Sequence, residues 1–157
     1  MNEKELLNIL KDVDIFKGLD DKSLEKILGI STIDEYSRGH RIFEDQSVGD
    51  DLFVLLDGEV LIKIEKLQPD FDVNICKVEK GEIFGELALI DDAPRSATAE
   101  CGGPAKLLTI NGKKLRELME SDYKIGYYIS SNIAKTVCSR IRNTNSKLLA
   151  AIKWRLG

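Results

Sequence analysis

Between Thr32 and about Ile110 the chain breaks into short β-type runs separated by turn residues at nearly regular intervals, and this pattern narrows its possible folds most sharply. The runs cover residues 41–43, 52–56, 60–65, 73–78 and 106–110. Turn chemistry falls between them at Gly39, Gly49, Asp57-Gly58, Pro69-Asp70, Gly81 and Gly102-Gly103-Pro104. Many short strands so spaced predict a sandwich or a roll. The Asp57-Gly58 pair lies between two apolar runs and predicts a hairpin, because glycine accepts the positive φ of a primed turn.

Helical periodicity flanks this region. Leu6, Leu7 and Leu10 share one face, as do Leu24, Ile27 and Leu28, with Asp20 or Asp21 as a cap. After Asn111, a candidate N-cap, Leu115, Leu118 and Met119 form another face that stops at Glu120-Ser121-Asp122. A second helix then runs towards Leu156, roughly 50 Å long at about 1.5 Å per residue. Ala134, Val137, Ile141, Thr144, Leu148 and Ala151 recur on it in steps of three and four. That spacing is a coiled-coil-like seam and predicts a homodimer.

A chain of 157 residues suits one domain. Its net charge of -4 argues against a polyanion as the main partner. The charge is uneven, however: no carboxylate follows Asp122, whereas Lys124, Lys135, Arg140, Arg142, Lys147, Lys153 and Arg155 do. This basic tail either balances the acidic body or meets a membrane surface or acidic partner. Cys76, Cys101 and Cys138 are odd in number and lack metal-like spacing, so reduced thiols are expected. The charged N-terminus has no signal-peptide pattern and no run approaches a membrane span, so a cytoplasmic location is expected.

The stretch with chemical content is Phe84-Gly85-Glu86-Leu87-Ala88-Leu89, followed by Ala93-Pro94-Arg95-Ser96-Ala97-Thr98. Gly85 permits a tight turn, and Leu87-Ala88-Leu89 can open a short helix whose free N–H groups point at an anion. The fork of donors on Arg95 suits a phosphodiester. An ionised Glu86 only accepts hydrogen bonds, so beside a phosphate it needs a neutral donor, and a ribose hydroxyl fits.

Phe84 to Thr98 resembles the phosphate-binding cassette of cyclic-nucleotide-binding domains, the family of the bacterial catabolite activators, protein kinase regulatory subunits and nucleotide-gated channels. The family pattern F-G-E-x-A-L, a spacer, then P-R-x-A is matched at every fixed position. Ile15-Phe16 to Leu19, and Arg41 through Val60, resemble the family's entry segment and its second to fourth strands. The helices after Asn111 resemble its last two. The resemblance implies that Glu86 takes the ribose 2′-hydroxyl and Arg95 the cyclic phosphate. It implies backbone N–H contacts from Leu87, Ala88 and Ala97, a hydroxyl contact from Ser96, and base contacts from Thr144 and Asn145. Gln46 stands where the family usually has glycine. Ser96 leaves the choice between cAMP and cGMP open, since family members carry alanine or threonine there.

The expected architecture is α+β over residues 1–157. Helices occupy 1–31, an antiparallel eight-stranded β-roll of jelly-roll type spans 32–110 with the cassette at 84–98, and two helices fill 111–157. The expected function is a sensor of cAMP or cGMP acting through its C-terminal helices on an effector the sequence does not name. No enzyme activity, metal or cofactor is expected: His40, the only histidine, sits in a turn, whereas a metal-dependent cupin needs several. The family's transcription factors append a helix-turn-helix, and this sequence ends at Gly157, so direct nucleic-acid binding is not expected. The alternative is an interaction module with a vestigial pocket. Trp154 either covers a bound base or packs at a helix end.

Overall fold

The computed structural model describes residues 2–68, 71–91 and 93–156. The expected turn at Pro69-Asp70 and the cassette residue Asp92 lie outside them. Helix α1 (Glu3–Asp12) opens the chain with a capping box between Asn2 and Glu5. A 3-10 turn (Asp14–Phe16) and α2 (Asp21–Leu28), capped by Asp20, follow. The strands are β1 (Ser31–Tyr36), β2 (Arg41–Phe43), β3 (Leu52–Gln68), β4 (Phe71–Val78), β5 (Ile83–Phe84) and β6 (Thr98–Ile110). A five-residue helix, α3 (Leu87–Asp91), sits between β5 and β6. Then come α4 (Gly112–Ser121), capped by Asn111, and α5 (Tyr123–Leu156).

Strand β6 is the spine of the sheet. It pairs antiparallel with β1 and β2 along one edge and with β3 along the other. β3 in turn pairs with β4 and β5. Six strands are present among the described residues, where the sequence suggested eight. Strand β3 was read from sequence as two runs, 52–56 and 60–65, and β6 only over 106–110, and each is one continuous strand. Asp57-Gly58 is not a hairpin: β3 runs through it with register shifts on either side. Gly58 has φ +93, and a Cβ there would lie 2.0 Å from the Pro104 carbonyl, so its glycine serves a close crossing of β6. Gly102-Gly103-Pro104 likewise lies inside β6, and β3 pairs antiparallel with β4 as far as Gln68 and Phe71.

Two apolar clusters hold the fold. Inside the roll, Phe53, Leu55, Phe84, Ala99 and Leu107 pack together. Leu10, Phe16, Leu24 and Ile27 join Leu52, Leu108, Leu115, Ile125, Ile129 and Ile133 outside it, fixing the helices to the sheet. Asn132 clasps this second cluster, its buried amide donating to the carbonyls of Ile15 at 3.1 Å and Lys17 at 2.9 Å. The helix break expected at Glu120 to Asp122 falls at Asp122, which leaves the helical region at φ -124, ψ 93.

Of the seam read from sequence, Ala134, Ile141, Thr144, Leu148 and Ala151 are exposed and only Val137 meets the domain. Val137 is partly buried against the core, and Arg140 reaches into the roll, so that face belongs to the domain itself. Thr144 lies one turn beyond Arg140 on the same side. From Cys138 to Trp154 every residue of α5 is exposed.

Candidate functional site

Gly85 follows β5 with φ +82, a conformation that only glycine adopts without strain. A Cβ there would come within 2.7 Å of Arg95 Nη1 and 3.1 Å of the Asp51 carbonyl. The turn therefore brings the backbone directly against Arg95. That side chain is buried, at 4% exposure, although arginine is seldom buried without a full set of partners. Its Nη1 donates to the Gly85 carbonyl and its Nη2 to the Asp51 carbonyl, each at 2.9 Å. Its Nε is buried with no partner. The Phe43 ring lies 4.3 Å and the Phe53 ring 5.8 Å from the guanidinium carbon. Burial pulls the Arg95 pKa below its usual value, against the opposing charges of Asp51, Asp50 and Glu86.

Glu86, at 2% exposure, is the second buried charge. Its Oε1 accepts a hydrogen bond from Nη1 of Arg140 on α5, whose Nη2 donates to the Ile83 carbonyl at 3.2 Å. Leu87 starts α3 and is exposed, whereas Ala88 and Leu89 are buried beneath it. Arg95 is locked to the loop before β3 through its backbone: its N–H donates to Ser47 O at 2.9 Å, and its carbonyl accepts from Gln46 N at 2.8 Å. Ser96 is exposed and Ala97 buried. The structure thus sets the turn at Gly85, with Glu86, Leu87 and Ala88 following it into α3, against Arg95, which Ser96 and Ala97 follow into β6. Thr144 and Asn145 are both exposed on α5 and differ in direction: Thr144 shares the side of Arg140, and Asn145 points to the outward face.

Three participants were missed from sequence. Arg140 read as one of many basic residues in the tail, and only its place one turn before Thr144 hinted at a role. Asp51 contributes a carbonyl, which no side-chain pattern reveals. Its carboxylate also accepts from the N–H of Gly112 at 3.1 Å, while the neighbouring Asp50 pairs with Arg116 of α4. The site is therefore bonded to the start of α4. His40 is exposed and stacks on Tyr36 at 4.4 Å, and Trp154 is 89% exposed and covers nothing. Among the described residues no group of histidine, cysteine, aspartate and glutamate is placed to hold a metal ion. Cys76, Cys101 and Cys138 are unpaired. No helix among the described residues is long and apolar enough to cross a membrane.

The site is thus an antiparallel sheet packed with helices, in which a buried arginine and a buried glutamate flank a short helix. The family model for the cyclic nucleotide-binding domain matches residues 33–122, more than half of the sequence, and the chain belongs to that family. Over 93 residues it is 34% identical to a cAMP-dependent protein kinase regulatory subunit of Candida albicans, covering 59% of this chain and 19% of that one. Over 141 residues it is 26% identical to a CRP-like cAMP-activated global transcriptional regulator of Mycobacterium tuberculosis, covering 89% of this chain and 60% of that one. The chain thus spans only part of these relatives. A Geobacter metallireducens protein described as cyclic nucleotide-binding superposes with a TM-score of 0.75 at 30% identity, covering 90% of this chain and 99% of that one. The regulatory domain of Toxoplasma gondii PKA, crystallised with cAMP, has the same fold, with a TM-score of 0.71 at 23% identity over 84% of this chain and 49% of that one.

Proposed function

We propose that this chain is a sensor of a cyclic nucleotide, cAMP or cGMP, that reports occupancy through α4 and α5. The observation that carries this reading is the buried Arg95, whose Nε lacks a partner while two donors rest on backbone carbonyls. A cyclic phosphate supplies the missing acceptor and repays the burial of the cation. Glu86 accepts from the ribose 2′-hydroxyl, and the N–H groups of Leu87, Ala88 and Ala97 with the Ser96 hydroxyl complete the phosphate site. Thr144, one turn beyond Arg140 on the same side of α5, reaches the base, and Asn145, turned away from that side, does not. Binding is the whole activity: no reaction is assigned to the site.

The transmission route follows from the bonds. Arg95 holds the Asp51 carbonyl, and the Asp51 carboxylate holds the first N–H of α4. A phosphate that draws the guanidinium towards itself loosens the first bond and changes how α4 sits. Arg140 couples Glu86 to α5 in the same way. The ligand biases these positions only as far as it prefers one of them. Self-association through α5, a cytoplasmic location and an effector protein reading the helices belong to the same proposal.

One observation favours a second reading. Arg140 already satisfies Glu86 without a ligand, as in an interaction module whose pocket is vestigial. Thermal unfolding of the wild type and Arg95→Ala with cAMP, cGMP and 5′-AMP separates the two. A ligand at about 100 times its dissociation constant adds about 2.7 kcal/mol, or some 5–10 °C in a domain of this size. A shift with one cyclic nucleotide that disappears in Arg95→Ala supports the sensor and names its base. No shift with any of them supports the interaction module.

A further inference from the structure

Cys76 on β4 stands opposite Ile62 on β3, and side chains so opposed in an antiparallel pair leave the sheet on the same face. Ile62 packs against the apolar cluster inside the roll, so Cys76 faces that interior too, and its thiol is open to solvent there. Two further observations make this interior the candidate site. Phe53 belongs to the same cluster and Phe43 packs on it, and against these two rings lies Arg95, 4% exposed and with its Nε unpartnered. The charges that act on the Cys76 sulfur are Arg140 and Lys147 of α5 together with Glu82 and Glu86. Arg140 is the residue that holds Glu86, and Lys147 follows it two turns on along the same side of the helix. The thiol therefore shares the surroundings of the Glu86 carboxylate.

We infer that Cys76 is a modification site that closes the nucleotide pocket: a mixed disulfide on its sulfur and a bound cyclic nucleotide exclude each other. The inference rests on the sensor reading and adds a control by thiol chemistry. A tripeptide-sized group on this sulfur fills the space beside Glu86 and Arg140 that the sugar of a nucleotide needs. The co-reactant is a low-molecular-weight disulfide bearing carboxylates, which Arg140 and Lys147 attract. The Cys76 thiolate attacks one of its sulfurs, a new S–S bond forms as the old one breaks, and the departing thiolate takes up a proton. A thiol reductant reverses the exchange. Desolvation by the surrounding walls pushes the Cys76 pKa above its ordinary value; Arg140 and Lys147 pull it back, while Glu82 and Glu86 add to the rise. The sulfur is thus mostly protonated at neutral pH, and exchange quickens as pH rises.

The test uses the full chain with Cys138→Ser, in which Cys76 is the accessible thiol because Cys101 is buried. Treated with glutathione disulfide, it is expected to gain one glutathione by intact mass and to keep its circular dichroism. Cyclic nucleotide at about 100 times its dissociation constant is expected to slow the gain about 100-fold, since only the ligand-free protein reacts. The modified protein is expected to lose the thermal shift with cAMP and cGMP and to regain it after dithiothreitol. Adding Cys76→Ser is expected to abolish the uptake and to make the nucleotide response the same before and after treatment. A chain that takes up no glutathione even at about pH 9, near the ordinary thiol value, overturns the inference. So does an uptake rate indifferent to nucleotide, or a modified protein that still shows the shift; either leaves the sensor standing. A chain with no shift for either nucleotide before treatment removes the sensor and this inference with it.

Discussion

Arg140, in the long C-terminal helix, holds the buried carboxylate of Glu86, in the turn after β5, across 54 positions of sequence. The glutamate is almost wholly buried and the arginine about half exposed, so the pair is asymmetric. Removing the arginine strands a charge inside the protein, and removing the glutamate strands little. Arg140→Gln is therefore expected to cost about 1–2 kcal/mol, between the worth of an exposed pair and the cost of breaking a fully buried one, because water reaches one partner. A lowering of the melting temperature by some 2–8 °C follows. The bare carboxylate also repels an incoming cyclic phosphate, so nucleotide affinity is expected to fall about tenfold, equivalent to about 1.4 kcal/mol. Calorimetric titration checks this; unchanged affinity would show that Arg140 serves stability alone.

Arg95 separates binding from stability in the opposite sense. Its guanidinium lies between Phe43 and Phe53, leaves Nε unsatisfied and carries a desolvation cost that lowers its pKa. Arg95→Met keeps the apolar packing and removes the buried charge. The ligand-free variant is expected to melt within about 1 kcal/mol of the wild type or above it, because apolar replacement of a buried ion is often neutral or stabilising. It is expected to lose every nucleotide-dependent shift. A ligand-free variant that unfolds several degrees lower would instead make Arg95 a structural tie between Gly85 and Asp51.

Residues close in sequence could be read and those joined by folding could not. Gly85, Glu86 and Arg95 form a local pattern whose chemistry needs only one turn and one short helix, so the cassette was accessible from the chain alone. The helix caps at Asp20 and Asn111 were accessible for the same reason. Gly58 misled because a positive φ serves a hairpin and a bulge equally well, and only the approach of Pro104 distinguishes them. Of the seam expected on α5, Val137 packs against the domain, a contact that no periodicity within the helix reveals. Arg140 had no signal beyond its place one turn before Thr144.

Gln46 stands where glycine is usual in the family, and its backbone has φ 62, the left-handed region. Its N–H is committed to the Arg95 carbonyl at 2.8 Å, so the loop cannot relax without disturbing the cassette. The residue pays roughly 1 kcal/mol in strain at this position. Gln46→Gly is expected to raise stability by up to about 1 kcal/mol in urea titration, with the slope unchanged, since the exposed side chain bonds only to its neighbour Asp45. A loss of stability would show that this loop draws more from the side chain than it surrenders to strain.

The last expectation concerns acid. Two ion pairs tie α2 to the start of α5: Lys124 to Asp20 at 2.6 Å, and Lys26 to Asp122 at 2.8 Å. Each aspartate also accepts a backbone N–H, from Ser23 and from Ile125. Both carboxyls are held below the ordinary range, Asp20 chiefly by Lys124 and then Ser23, Asp122 chiefly by Lys26 and then Ile125. In the unfolded chain they take up protons near the usual aspartate value of about 3.9. The unfolded state therefore binds protons first as pH falls. The stabilisation is complete above about pH 5 and drains away as pH drops through the folded-state values. Melting temperatures between pH 6 and 3 are expected to fall less steeply in Asp20→Asn, which cannot be protonated, than in the wild type. Added salt is expected to narrow the difference because both pairs are exposed. Parallel curves would mean that the acid sensitivity of the fold resides elsewhere than in the Asp20 pair.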